Sequence, residues 1–368
     1  MTRTSLAVLA PARGCDCGSC PFFMGDAAAG LTPGVEPVCS GSNSDCAYCS
    51  CARAEAVGSG ASSPCGQCPI RCGSRVDIAA WMADVGGTMS FEDLVLEAVL
   101  PEDLPRFIPQ VDGHAVAGFD EDLGWPAYGV GLRRVFSPET HRIYPKFDGA
   151  TAHEALGLRP GQLAVLVGYG EDPLVEAFWT RRHDLIPALA AQRWDVVLAP
   201  NFSMYGNQPR AEHLLNFRRN LLIATELASA GLCAVPNLYW FRKEDLDRYL
   251  AWFADCTPAA IAVNLQTFRT EEDWELMALP GLAYLSTGVP AGTAVIVTGS
   301  SRADRISTLL ELFGSRLHLV SQNPQQYARH GAQMTSEGRV DRQARVEDLF
   351  AANVRFYAGL VENSPARR

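Results

Sequence analysis

The sequence predicts an α/β protein, a parallel β/α barrel or partial barrel preceded by a cysteine-rich, loop-rich N-terminal module. Three observations lead there. From about residue 160 onward, short apolar runs alternate with amphipathic segments. The runs hold four or five β-formers without polar alternation, which is how strands covered on both faces read. Finally, ten of the chain's 12 cysteines lie between Cys15 and Cys72, ahead of that region.

The N-terminal module comes first. Residues 1–72 are rich in Cys, Gly, Ser, Ala and Pro and poor in large aliphatics, so they cannot build a core and need a metal to order them. Three triplets stand out: Cys15, Cys17 and Cys20; Cys46, Cys49 and Cys51; Cys65, Cys68 and Cys72, with Cys39 between the first two. A thiolate is a soft, charged ligand, and short loops bring several of them onto one ion or cluster. Pairs such as Cys15/Cys17 and Cys49/Cys51 are too close for easy mutual disulfides but suit a shared metal. The apolar run Ser5–Ala10 is shorter than a signal-peptide core of roughly 7–15 residues, which weighs against a secreted disulfide framework. Four ligands per site make about two sites, with two thiols to spare. Zn2+ is placed slightly ahead of [4Fe-4S] clusters, although the Cys20-Pro21 and Cys68-Pro69 steps suit the clusters. One grouping joins Cys15, Cys17 and Cys20 with Cys39 or Cys46, and Cys65, Cys68 and Cys72 with Cys49 or Cys51.

Composition changes at about residue 73, which divides the chain into a metal-binding module, 1–73, and a barrel-like domain, 74–368, with a lead-in at 74–160. Val76–Val85 and Phe91–Leu100 have helical spacing, with Ser90 as a cap for the second. Arg106–Asp112 and Tyr128–Leu132 read as strands. The alternation then runs Leu163–Val167 and a helix Asp172–Ala191, Val196–Ala199 and Arg210–Ala230, Cys233–Val235 and Glu244–Phe253. It continues with Ala260–Val263 and Glu271–Ala278, Thr293–Val297 and Ala303–Phe313, Leu317–Val320, and a last helix Val340–Val361. Strand-helix alternation of this kind implies a parallel sheet with right-handed crossovers, and the number of strands favours a barrel over an open sheet.

With 48% apolar and 20% charged residues the chain has globular composition, and no apolar run reaches the ~18–20 residues of a membrane helix. A soluble, cytoplasmic protein without a membrane partner is expected. The net charge of -10 argues against a generic nucleic-acid sleeve, while Arg133-Arg134, Arg181-Arg182 and Arg218-Arg219 leave room for a local basic groove. Oligomeric state is open at this level.

In a parallel barrel the ligand site lies at the carboxyl ends of the strands. The candidate ligand-binding residues there are Asn201, Ser203, Asn237, Asn264, Gln266, Ser300 and Asn323. An amide presents a donor and an acceptor together, which suits a neutral heteroatom-rich ligand such as a nucleobase or peptide group. The same residue types also form turns and cap helices. Asp112 and His114 are the candidate catalytic pair, a carboxylate beside an imidazole, in an Asp-Gly context that equally makes a turn. Gly168-Tyr169-Gly170 lacks the third glycine of a phosphate loop, whereas Thr298-Gly-Ser-Ser301 before the Ala303 helix could hold a phosphate on backbone amides.

The stretch Ala199-Pro-Asn-Phe-Ser-Met-Tyr205 with Pro209, Asn216-Phe-Arg-Arg219, Gly231-Leu-Cys-Ala-Val-Pro236 and Trp240 resembles an uncharacterised bacterial and phage family, domain of unknown function 4417, over roughly residues 160–330. Asn201 stands where that family usually has Asp. The resemblance implies a fold and a mobile-element setting but no reaction. More loosely, Cys15-x-Cys17-x2-Cys20 is similar to the zinc motif of tRNA-guanine transglycosylases, barrels that act on a nucleobase, with Cys46 where their His ligand falls. In those enzymes the motif comes late in the chain rather than first. Cys65-x2-Cys68-x3-Cys72 reverses the order of a radical S-adenosylmethionine motif.

The leading expectation is a metal-binding protein that acts on or binds nucleic acid, with nucleobase modification or exchange as the reaction class. The alternatives are a non-catalytic, metal-stabilised binding protein and an iron-sulfur redox or radical enzyme.

Overall fold

The computed structural model describes residues 78–112, 116, 119, 123–204 and 210–362. The ten N-terminal cysteines, the boundary at residue 73, His114 and Tyr205 lie outside the described residues. The described residues fall into two compact units: one takes in those up to Asp93 together with those within Phe202–Leu222, the other those within Leu94–Asn201 and from Ile223 onward.

In the first unit a short helix, Ile78–Asp84, ends in a turn whose Gly86 and Gly87 have φ of 88° and 77°, the left-handed region that favours glycine. Arg218, almost fully buried on the helix Arg210–Ser229, ties that turn down. Its guanidinium donates to the Val85 carbonyl at 2.5 Å, to the Ser90 carbonyl, and to both oxygens of Asp93 at 2.6 Å. The bond holds the Asp93 carboxyl below the usual carboxylate range. The next residue, Arg219, stacks its guanidinium over the Phe202 ring at 3.8 Å.

The second unit is the barrel. Its strands are β1 Phe107–Val111, β2 Ala127–Gly131, β5 Leu163–Val167, β6 Val196–Leu198, β7 Ala234–Val235, β8 Asn237–Leu238, β9 Ala260–Asn264, β10 Ala294–Thr298 and β11 Leu317–Ser321. Two hairpins, β3 Phe136–Ser137 with β4 Arg142–Ile143 and β12 Ala332–Thr335 with β13 Gly338–Asp341, lie outside the main sheet. All nine barrel segments pair in parallel, in the order β7-β6-β5-β2-β1-β11-β10-β9-β8. The two ends of this order are two halves of one strand. Pro236 has no N–H and interrupts the ladder, so β7 pairs with β6 and β8 with β9. The Pro236 carbonyl still accepts from the Ala262 N–H at 2.8 Å, which closes the ring. Every barrel strand pairs with its sequence neighbour and β11 returns to β1, the winding of an eight-position β/α barrel.

Inward-pointing residues fill the barrel: Ile108, Ala127, Leu163, Val165, Val167, Val196, Leu198, Val235, Ala260, Ala262, Ile296 and Val320 form one apolar cluster. Leu104, from the segment entering β1, joins it, and Leu100 packs against it. His318 closes the same end, with Nδ1 3.0 Å from the Pro105 carbonyl.

The helices Asp172–Ala191 and Ala303–Phe313 have the bounds that periodicity predicts. Three segments differ. Phe91–Leu100 is not a helix: Leu94 and Leu96 are buried while Val95 and Val99 are exposed, a period of two. Long-range bonds hold it extended, from Trp252 Nε1 to the Leu94 carbonyl at 2.7 Å and from the Leu96 N–H to Cys256 Sγ at 3.3 Å. Ser90 Oγ accepts from the Glu92 N–H in a local turn rather than capping a helix. The helix begun at Glu271 does not stop at Ala278 but passes through a π-helical turn, Trp274–Ala278, into Leu279–Gly288. Pro280 follows directly on that turn and, lacking an N–H, cannot donate back to it, and Gly281 leaves room for the Trp240 ring. The last helix begins at Val346, because Val340 belongs to the β12–β13 hairpin.

Candidate functional site at the carboxyl ends of the barrel strands

Alternation fixes what lines the mouth. Continuing the inward series past the apolar cluster gives Gln110 and Asp112 after Ile108, Tyr169 after Val167, Asn237 after Val235, Asn264 after Ala262 and Thr298 after Ile296. The barrel therefore changes from aliphatic to amide, phenol and hydroxyl within one residue pair.

These polar groups are joined. Tyr169 donates its hydroxyl to Asn237 Oδ1 at 2.9 Å, and Asn237 Nδ2 donates to Asn201 Oδ1 at 2.7 Å. Burial pushes the Tyr169 phenol far above its usual pKa, so it stays an O–H donor. A second group centres on Asn264, of which only 8% is exposed. Its Oδ1 accepts from the Gln266 backbone N–H at 3.0 Å and from Thr298 Oγ1 at 3.1 Å. A backbone donor fixes which end of that amide is oxygen, so Nδ2 is the end left over, and it meets no acceptor among the described residues.

The backbone supports this arrangement closely. Gly299 has φ of 76°, and a Cβ there would lie 2.7 Å from the Gln266 Cα. At Gly168 a Cβ would press on the Leu198 carbonyl and come within 2.6 Å of the Pro200 nitrogen. On β2, Gly129 and Gly131 have no side chain toward the barrel axis, and the Gln110 amide lies over Gly131, 3.2 Å from where its Cβ would be.

An aromatic wall stands beside Asn264. The register pairs Leu238 with Val263, so the next step sets Tyr239 alongside Asn264. Tyr239 stacks on Phe268 with ring centroids 5.8 Å apart and meets Phe241 edge-on at 5.2 Å. Trp240 stacks on the same Phe268 and donates its Nε1–H to the Met277 carbonyl at 3.1 Å. Tyr239 and Phe241 keep part of their surface open to solvent.

The remaining residues to which the sequence points fall as follows. Asp112 lies just past β1; its N–H donates to Gln325 Oε1 at 3.0 Å, and its carboxylate is gripped by Arg134 at 3.2 Å and by Arg329. Gln266 is exposed and contributes its backbone rather than its side chain. Ser300 is buried, with no partner for Oγ among the described residues. Asn323 opens the helix Asn323–Arg329, with Nδ2 3.5 Å from the Tyr357 hydroxyl. Ser203 belongs to the first unit, where its carbonyl accepts from Asn216 Nδ2 at 3.0 Å. The sequence reads Thr298 only as part of a backbone phosphate loop, and residue type alone does not point to Tyr169 or the Tyr239–Phe241 wall, although strand parity counted two residues past Val167 reaches Tyr169.

No family model matches the chain, and comparison with curated proteins gives no match.

Proposed function

We propose that the barrel mouth binds a nucleobase, presented by nucleic acid or by a nucleotide, and that the N-terminal cysteines hold metal in support of that activity. The observation that carries the reading is Asn264: its oxygen is consumed by two internal donors, and its amide nitrogen is left beside an aromatic wall. Every base has a π-face to stack on an aromatic ring and carbonyl or ring-nitrogen acceptors at its edge. A fixed N–H donor next to a partly open Tyr239 and Phe241 is complementary to both.

Binding is favoured over acid-base chemistry by Asp112 itself. The Asp112 carboxylate is occupied by the Arg134 and Arg329 guanidinium groups and its N–H by Gln325, so a role in holding those side chains fits it better than that of general base. The likeness to the domain-of-unknown-function 4417 family remains part of this proposal, on the motifs around Asn201, Asn216 and Trp240. Where that family carries Asp, Asn201 here offers an amide nitrogen at the end of the Tyr169–Asn237 chain.

Asn264→Asp is the discriminating variant. It keeps an oxygen for the Gln266 N–H and the Thr298 hydroxyl but replaces the remaining donor by an acceptor. Titrating the full chain with the four common ribonucleosides should show at least one binding, weakened about tenfold or more in the variant, as expected when a site group fails to match its ligand. Equal affinities would remove Asn264 from the site. For the cysteines, elemental analysis and a visible spectrum after anaerobic purification should give about two zinc ions, or iron with labile sulfide and broad absorbance. A metal-free, correctly folded chain would defeat that part of the proposal.

A further inference from the structure

The Asp112 cluster has features that base recognition does not use. Arg134 leaves β2 on the short 3-10 turn Leu132–Arg134, and Arg329 ends the helix after β11. Both reach the one carboxylate, which sits two residues beyond Gln110 on the inward face of β1. The Arg134 and Arg329 side chains are 44% and 47% exposed, that of Asp112 only 29%. The bonds described use one terminal nitrogen of each guanidinium, and each guanidinium carries five donors. Among the described residues, two cations sharing one anion leave a unit of positive charge uncompensated. The neighbouring carboxylates Glu139 and Glu171 are paired with Arg133 instead. Gln325 adds a second observation: it is only 4% exposed, its Oε1 is bound to the Asp112 N–H, and its Nε2 has no partner among the described residues.

We propose that Arg134 and Arg329 bind a phosphate ester at the barrel mouth, with Asp112 holding the two guanidinium groups apart and in place until it arrives. The inference deepens the base-binding reading: the base occupies the Asn264–Tyr239 side and its phosphate the β1–β2 side of the same mouth. Two planar forks, each on its own oxygen of one carboxylate, suit a phosphate, whose oxygens accept several charge-assisted bonds at once. In a chain of net charge -10, such a local excess of positive charge is where an anion gains most.

The test titrates the full chain with a nucleoside, its 5′-monophosphate, a dinucleoside monophosphate and inorganic phosphate, at low and high salt. The monophosphate or the diester should bind about tenfold or more tighter than the nucleoside, the stronger of the two revealing whether a terminal or a bridging phosphate is preferred. Arg134→Gln with Arg329→Gln should abolish that advantage and its salt dependence while leaving nucleoside affinity unchanged. Should this double variant unfold, Asp112→Asn decides alone: relieved of its internal anion, the pair should bind inorganic phosphate severalfold more tightly. No advantage of the phosphate esters over the nucleoside, an advantage that survives the double variant, or no change with Asp112→Asn would overturn the inference. Arginine-dependent binding of inorganic phosphate without any nucleoside binding would uphold it while the base-binding reading fell.

Discussion

At the residue scale, the barrel shows how burial decides what a polar side chain can do. Asn237 is fully buried and both ends of its amide are engaged, so it serves to order Tyr169 and Asn201 rather than to meet a ligand. Asn264 has one engaged end and therefore a directional role. His318 shows the same logic at the opposite end of the barrel. Burial, with Arg106 nearby, pulls its pKa below the usual imidazole value, against a smaller opposing effect of the Pro105 carbonyl. The folded state then binds fewer protons than the unfolded one as pH falls through about 6.5, so stability is full above that value and declines below it. Urea midpoints measured from pH 8 to pH 5 should fall for the native chain and fall less for His318→Gln. Parallel curves for the two proteins would mean that His318 does not contribute to the slope.

At the element scale, close approach between strand ends sets the geometry of the mouth. Gly168 follows β5 where the backbone of β6 leaves the sheet, and its N–H donates to the Leu198 carbonyl at 2.9 Å. Gly168→Ala has no flexible side chain to push aside, only backbone. Its cost should reach or exceed the upper end of the ~1–3 kcal/mol typical of overpacking, read as a lowered denaturation midpoint at unchanged slope. A neutral effect would mean the β5 and β6 exits can separate freely. Several of the strands are legible in the sequence because they are uninterrupted β-forming runs, as in Leu163–Val167 and Ala294–Thr298. Phe91–Leu100 misleads because a few apolar residues fit both periods, and only its long-range partners Trp252 and Cys256 hold it extended. The fifth strand is legible only as Cys233–Val235, since Pro236 ends a run by any local rule. Its second half exists because β9 supplies a partner.

At the scale of the whole molecule, the chain divides its labour unevenly. The barrel carries an aliphatic interior and a polar mouth, a gradient that the order of residues along each strand already spells out in its terminal amides. Which amides meet one another is not written in that order. Asn201 and Asn237 are joined through a bond between residues 36 apart, and Ser203, two positions from Asn201, belongs to a different unit. The aromatic wall is hidden for a related reason: Tyr239 and Phe268 come together only through the β8–β9 pairing. Arg134 and Arg329 likewise come from opposite ends of the barrel sequence and meet only at Asp112.

Base binding at the mouth stands or falls on whether Asn264 offers its amide nitrogen to a base stacked on the Tyr239 wall. That can be followed in the side-chain amide resonances of 15N-labelled protein as a ribonucleoside is added. The Asn264 NH2 pair should shift progressively and saturate, while the Asn237 pair, engaged at both ends, moves little. Saturable nucleoside binding that leaves the Asn264 resonances in place would contradict the assignment of Asn264 to the site.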